Sequence, residues 1–287
     1  MAEVMAFVPE TLSEALAIRK EYHARPLAGG TDLMVQHFMG HDVDPEFGFP
    51  VMIISGIEEL KGIISTDSGV VIKALTTSAE IAADERVPYP VRKAASLMGA
   101  ISLRNSATIG GNIGNASPKG DLPQPLILLD ASVNLISQRG RRSMKLDQFI
   151  VGAKKTKLED DEIIESVFIP RADFDYIYYR KIGTRRANAI SKLSLSAAAR
   201  IEDGVVADFR ASSGAAGPKV IRSYEAENIL KGKRVEELEA LMPEFLDSWN
   251  NAISPHAMPK YRRNTTRRML AYFIETISKC PEKGIIE

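Results

Sequence analysis

The residues of this chain best suited to chemistry are two glycine pairs set among small hydroxyl and amide side chains. The first pair sits in AGGTDL, Ala28 to Leu33, directly after a short apolar run that ends at Leu27. Without Cβ atoms, Gly29 and Gly30 let the main chain adopt unusual torsions and approach a ligand closely. Successive N–H groups in such a loop form a concavity for an anion, which suits a phosphate or pyrophosphate. Thr31 and Asp32 add a hydroxyl donor and a polar anchor. Taken alone, a Gly-Gly pair is more often a simple tight turn. The second pair sits in SATIGGNIGNASPKGD, Ser106 to Asp121. Here Thr108, Ile109, Gly110, Gly111 and Asn112 run together, followed by Gly114, Asn115, Ser117 and Asp121. There is neither a G-x-G-x-x-G nor a phosphate-loop lysine pattern. The segment instead suits a nucleotide held by main-chain N–H groups and neutral side chains, with Asp121 accepting from a ribose or adenine group. The alternative is a long ordered loop satisfied by its own Asn and Ser side chains. Two such loops in one chain make that alternative less attractive.

Other chemistries lack material. One cysteine, Cys280, cannot form an internal disulfide or build a cysteine-based zinc or iron–sulfur site. Four histidines, His23, His37, His41 and His256, offer little for a metal centre. No acid/base pair or nucleophile constellation is visible. With 37 basic and 37 acidic residues, the formal charge is zero, so the footprint of a general nucleic-acid binder is missing. No apolar run approaches the roughly 20 residues of a membrane span. The opening MAEVMAFVPE has no basic or apolar signal region. The expectation is a soluble, cytoplasmic protein whose chemistry comes from something bound.

The elements that must position these loops follow from local patterns. Thr11 with Glu14 predicts a capped helix with Leu12, Ala15, Leu16 and Ile18 as its apolar stripe. VMIIS reads as a buried strand, and GIISTDSGVVIKAL as a hairpin about Thr-Asp-Ser-Gly. Thr77, Ser78 and Glu80 start another helix, and residues 88–100 carry a further helical segment. The stretch 101–120 breaks every period. SVNLIS, RSMKL and DEIIESVFIP read as strands. A composition change near Pro170–Asp175 suggests a boundary between residues 1–171 and 172–287. Strands then precede helices from about Ser223 to Lys279, so the class expected is α+β rather than doubly wound.

At this point a resemblance emerges. AGGTDL together with ATIGGNIGNASPKGD resembles the FAD-binding signature of the medium subunit of molybdenum hydroxylases, the xanthine, carbon monoxide and nicotinate dehydrogenase family. YYRKIGTRRANAISKLSLSAAARI resembles the first strands after that family's flavin domain. SSGAAGPKVIRSYEAE resembles a stretch of its second domain, with its Pro, Arg and Glu. The four segments fall in the family's order across essentially the whole chain.

The resemblance implies an FAD-binding domain of the vanillyl-alcohol oxidase/MurB type over residues 1–171, with two subdomains divided near 56. A small α+β domain of the carbon monoxide dehydrogenase flavoprotein type would span 172–287. By similarity, Pro26–Leu33 wraps the pyrophosphate and Thr108–Asn112 supplies the second loop. Asn115 stands beside them, and Asp121 falls on the nucleotide-anchoring acid. Ile164 and Lys181 fall where relatives contact the flavin. Thr184–Lys192 matches a loop beside the isoalloxazine ring, with Ile190 against it and Asn188 where some members have Asp. No histidine stands in the flavin loops, so the FAD expected is noncovalent. Arg185 and Arg186 read as a surface pair, and of Tyr178 and Tyr179 one is expected in the core. The function implied is electron transfer, from a [2Fe-2S] small subunit through FAD to NAD(P)+ or another acceptor. Substrate would be hydroxylated in a molybdopterin-binding large subunit. Two rivals stay open: a self-contained FAD oxidoreductase of the same fold, and a non-catalytic module whose glycine loops are structural.

Overall fold

The structure, a computed structural model, describes residues 5–41, 43, 45–185, 187–279 and 282–286. Arg186 and Cys280 lie outside the described residues. The first strands are short. β1 (Ala6–Phe7), helix α1 (Leu12–Tyr22), β2 (Arg25–Leu27), the one-turn helix α2 (Leu33–Gln36) and β3 (Val51–Ile53) follow in order. β3 lies between β1 and β2, parallel to both. The Thr11 hydroxyl accepts the Glu14 N–H at 3.2 Å and starts α1 as its sequence predicts. The other half of the expected box differs, because the Glu14 carboxylate takes the N–H of Glu10 at 2.9 Å. Ala15 and Leu16 pack with Ala24, Met52, Ile54 and Ile57. This packing fixes β2, and so the point at which the first glycine loop begins.

A five-stranded antiparallel sheet, ordered β4-β5-β10-β6-β7, frames the second loop. β4 (Ile63–Thr66) and β5 (Gly69–Lys73) form the expected hairpin. Helices α3 (Ser78–Ala83), α4 (Tyr89–Ser96), α5 (Ile101–Ser106), α6 (Ile109–Gly114) and α7 (Pro123–Leu128) follow. β6 (Ser132–Ser137), β7 (Gly140–Lys145), helix α8 (Leu146–Phe149), the small hairpin β8 (Ile150–Gly152) and β9 (Lys155–Thr156), and β10 (Ile163–Pro170) complete this half. Thr77 and Glu80 make a full capping box at α3. The aperiodic stretch 101–120 holds two short helices, α5 and α6. Ile109 and Ile113, one helical turn apart, are both fully buried, while the Thr108 hydroxyl caps α6 at the Gly111 N–H. Three glycines in six residues, each disfavouring a helix by about 1 kcal/mol, hide that pattern from a sequence reading.

The remainder comprises β11 (Tyr176–Ile182), β12 (Leu193–Glu202), β13 (Val205–Gly214), helices α9 (Tyr224–Leu230), α10 (Leu238–Ala252) and α11 (Pro259–Lys279), and the edge strand β14 (Gly284–Ile286). Its sheet, ordered β13-β12-β11-β14, is covered by helices through Phe209, Phe245, Trp249 and Phe273. Successive strand residues face opposite sides. Tyr178 therefore enters this core while Tyr179 enters the core of the first half. Both tyrosines are buried, where one was expected, because α4 packs on β11 from the other side.

Two polar knots join the halves. Gln124, fully buried, donates to the Ser212 carbonyl at 2.8 Å and accepts from the Ser196 hydroxyl at 3.1 Å. Arg222 donates to Asp130 at 2.6 Å, to the Ile127 carbonyl at 3.0 Å and to Glu227 at 2.7 Å. Glu227 is wholly inaccessible and also accepts the Ala211 N–H at 3.0 Å. Burial opposes the Arg222 charge, but the hydrogen bond to Glu227 and the charges of Glu227 and Asp130 outweigh it and raise its pKa.

Candidate functional site

The two glycine loops face each other across a cavity of about 590 Å³, within the roughly 300–1,000 Å³ typical of cofactor and ligand sites. Leu27, Ala28, Gly29, Gly30, Thr31, Asp32 and Leu33 line one side. Thr108, Gly110, Gly111, Asn112, Asn115 and Asp121 line the other. Ile164 contributes from β10, and Ile190, 73% exposed, stands on the rim beside Asn188. Two residues singled out in the sequence lie elsewhere. Ile109 is fully buried in the core, and Lys181 stands behind Asp121 rather than on the cavity wall. Four basic residues on the lining, Arg19, Arg25, Lys119 and Lys154, had no sequence signal. They come from four separate segments that only the fold brings together.

The glycines serve different ends. A Cβ at Gly29 would lie 1.7 Å from the Ser106 carbonyl oxygen, so here the loops touch main chain to main chain. One at Gly110 would meet Ala74 at 2.8 Å. Gly111 differs: its Cβ would meet only the Thr108 hydroxyl oxygen, at 3.1 Å, and the space beyond belongs to the cavity.

The main-chain N–H groups divide in the same way. In the second loop they are engaged inside the protein, Ile109 with the Thr76 carbonyl at 3.1 Å and Gly110 with the Ala74 carbonyl at 2.8 Å. Gly111 donates to the Thr108 hydroxyl at 3.1 Å, and Asn112 to the Thr108 carbonyl at 2.9 Å. Of the main-chain N–H groups and neutral side chains expected to hold a nucleotide here, the N–H groups of Ile109 to Asn112 are thus spent on capping and packing α6. In the first loop, the N–H groups of Gly29, Gly30, Thr31 and Asp32 find no acceptor among the described residues. A run of four open donors is an arrangement that can receive an anion. What the second loop offers is side chains. The Asn112 Oδ1 is buried without a partner, an acceptor waiting for a donor.

Asp121 is held at both carboxylate oxygens. Lys181 donates to one at 2.7 Å and the Ser191 hydroxyl to the other at 2.7 Å, while Lys181 also donates to the Leu97 carbonyl at 3.0 Å. Burial pushes the Asp121 carboxyl up, against the lowering pull of Lys181 and Ser191. Tyr179 lies close by with its hydroxyl buried and unpartnered. Burial and then the Asp121 charge carry its pKa well above the ordinary tyrosine value. From the sequence, Asp121→Ala should weaken affinity and spare folding. The structure leads to a different expectation: with the Lys181 ammonium left buried, the substitution costs about 3–5 kcal/mol of stability. Urea unfolding of the ligand-free protein measures it.

Among the described residues, no His, Cys, Glu or Tyr lines the cavity, and no group of His, Cys, Asp or Glu could hold a metal ion. Its two acids are both engaged, Asp121 as above and Asp32 with Lys154 at 2.9 Å. Among the described residues the walls thus present no unengaged carboxylate.

Comparison with known proteins places this architecture. The family described as "FAD binding domain in molybdopterin dehydrogenase" matches residues 2–172. The "CO dehydrogenase flavoprotein C-terminal domain" matches residues 178–277. The nicotinate dehydrogenase FAD-subunit of Eubacterium barkeri is 32% identical over 263 residues, 86% of this chain and 87% of that one. The xanthine dehydrogenase FAD-binding subunit of Escherichia coli O157:H7 is 28% identical over 90% of each chain. Among solved structures, carbon monoxide dehydrogenase from Hydrogenophaga pseudoflava shares the fold, with a TM-score of 0.85 over 95% of this chain and 96% of that one at 24% identity. The chain therefore belongs to the FAD-binding domain family of the molybdopterin dehydrogenases, as an oxidoreductase flavoprotein that joins this domain to a carbon monoxide dehydrogenase-type C-terminal domain.

Proposed function

We propose that this chain is the FAD-carrying electron-transfer subunit of a multi-subunit molybdenum hydroxylase. In this reading it accepts electrons from a [2Fe-2S] small subunit and passes them to NAD(P)+ or another acceptor. The observation that carries the reading is the run of four open N–H donors in the first glycine loop, facing a cavity with four basic and two acidic residues on its walls. A pyrophosphate brings two negative charges and needs such donors. The other features of the cavity suit the rest of FAD. Asn112 presents an unpaired acceptor for a ribose or adenine donor. Gly111 leaves room for close approach. Ile164 and Ile190 provide apolar surface for the ring system. Bound FAD supplies exchange of electrons singly or in pairs, a chemistry that the lining side chains do not offer.

The protein's part is to hold and tune. Leu27 to Leu33 would clamp the phosphates, and Thr108 to Asn112 with Asn115 would bear on the nucleotide. Asp121 and Lys181 anchor Ser191, and with it the end of the rim loop that carries Asn188 and Ile190. Asn188 has φ +48°, a torsion asparagine tolerates well. As a neutral residue where some members carry Asp, it leaves the field at the rim less negative and so bears on the choice of acceptor. Partner subunits enter by the company of the relatives: proteins named as medium chain or medium subunit occur in carbon monoxide dehydrogenase and nicotine 6-hydroxylase. Among the described residues no helix is long and apolar enough to cross a membrane, and a cytoplasmic complex belongs to the same reading.

The test is co-expression with the neighbouring gene products and purification through a tag on this chain. FAD, iron, acid-labile sulfide and molybdopterin should co-purify, and substrate should reduce the flavin only in the full complex. A fully active flavoenzyme obtained from this chain alone would overturn the subunit reading in favour of the self-contained oxidoreductase.

A further inference from the structure

Lys154 occupies the tip of the β8–β9 hairpin, outside both glycine loops, yet its side chain reaches both. Its ammonium lies 2.9 Å from Asp32 Oδ2 in the first loop and 2.5 Å from Asn115 Oδ1 at the end of the second. The Gln36 amide donates to the same two residues, to Asp32 and, at 3.4 Å, to Asn115. Four side chains from three segments thus close a polar bridge between the two loops. Lys154, Asp32, Gln36 and Asn115 all lie on the cavity lining.

The backbone under Lys154 sharpens the point. Its φ is +59°, a region that Asn or Gly occupies more readily than Lys. The turn itself needs only the torsion and the N–H, which Lys154 donates to the Ala116 carbonyl at 2.9 Å. Nothing in the hairpin calls for a long cationic side chain there; the contacts across the loops do. An ammonium has three donors. Two are directed at Asp32 and Asn115, and the third has no acceptor among the described residues.

We propose that Lys154 is a positioning clasp for the cofactor's phosphates, fastening the two glycine loops together and giving its remaining N–H to a phosphate oxygen. The proposal rests on the FAD reading above, and it adds a residue from a third segment to the binding machinery. Charge-assisted hydrogen bonds of this kind carry about ten- to hundredfold in affinity.

Lys154→Asn keeps a residue suited to the torsion and removes the charge; Lys154→Arg keeps the charge. FAD release and FAD titration are followed by flavin fluorescence on the full chain at several KCl concentrations, beside melting of the FAD-free protein. The Asn variant should release FAD at least about tenfold faster, show a shallower dependence of affinity on salt, and melt in FAD-free form close to the parent. The Arg variant should recover most of the affinity. Parent-like release and salt dependence in the Asn variant, with the parent binding FAD, would overturn the clasp alone. A purely structural role would show as a lower melting temperature of the FAD-free Asn variant with an unchanged salt slope, and that too would overturn it. A parent chain that binds no FAD would instead overturn the functional reading beneath it.

Discussion

A Gly111→Val protein is expected to fold and to be purified without flavin. The new Cβ meets only the Thr108 hydroxyl oxygen, at 3.1 Å, which a small rotation relieves. Within α6, valine is also a better helix residue than the glycine it replaces. The two added methyl groups, however, project toward the cavity where the nucleotide must approach. Bound FAD per chain, released by heat and read from its absorbance, should fall below about a tenth of the parent value, equivalent to at least ~1.4 kcal/mol. Retention of full flavin with a parent-like spectrum would show that the loop has been assigned wrongly. Gly29→Ala provides the contrast. Its Cβ would lie 1.7 Å from the Ser106 carbonyl oxygen, so that variant should lose soluble protein rather than only its colour.

A loss of stability as large as that at Asp121 is expected at Arg222. Replacing it with methionine leaves Glu227, wholly inaccessible, with the Ala211 N–H and the Lys231 ammonium at 3.5 Å. It also strips Asp130 of one of its two arginine partners, leaving Arg210 at 2.7 Å. Breaking one side of a buried pair costs about 3–5 kcal/mol, whereas replacing both sides by apolar groups of similar volume is far milder. Urea unfolding of Arg222→Met should show that loss, and the Arg222→Met/Glu227→Met double variant should recover a large part of it. Equal losses in the single and double variants would mean that the contacts of Arg222 with Asp130 and the Ile127 carbonyl, not its pairing with Glu227, dominate.

The two glycine loops were legible because their residue types admit few other uses, and so were hairpins such as β4–β5, whose turn residues announce themselves. The fate of the donors was not legible. Whether a loop N–H stays open depends on what folds against it, and Gly110 finds the Ala74 carbonyl across 36 positions of sequence. The basic residues of the cavity wall carry no sequence signal for a similar reason. Arg19 on α1, Arg25 on β2, Lys119 and Lys154 share no spacing, and each alone reads as a solvated cation. The Arg and Glu of IRSYEAE drew attention by resemblance only. Their physical reason, a buried pair that also grips Asp130 of the other half, exists only once the two halves meet.

Strand β11, with Tyr178 in one core and Tyr179 in the other, has a thermodynamic consequence. Neither half can open without uncovering Tyr179, a residue of the second half buried in the core of the first, so the chain should lose structure in one cooperative transition. A ligand that binds only the native state adds its binding free energy to that whole transition. Occupancy of a cavity lined mostly by the first half is therefore felt in helices α10 and α11, none of whose residues lines it. Their amides should exchange with solvent more slowly when the cofactor is bound, so that the C-terminal helices act as reporters of cofactor loading.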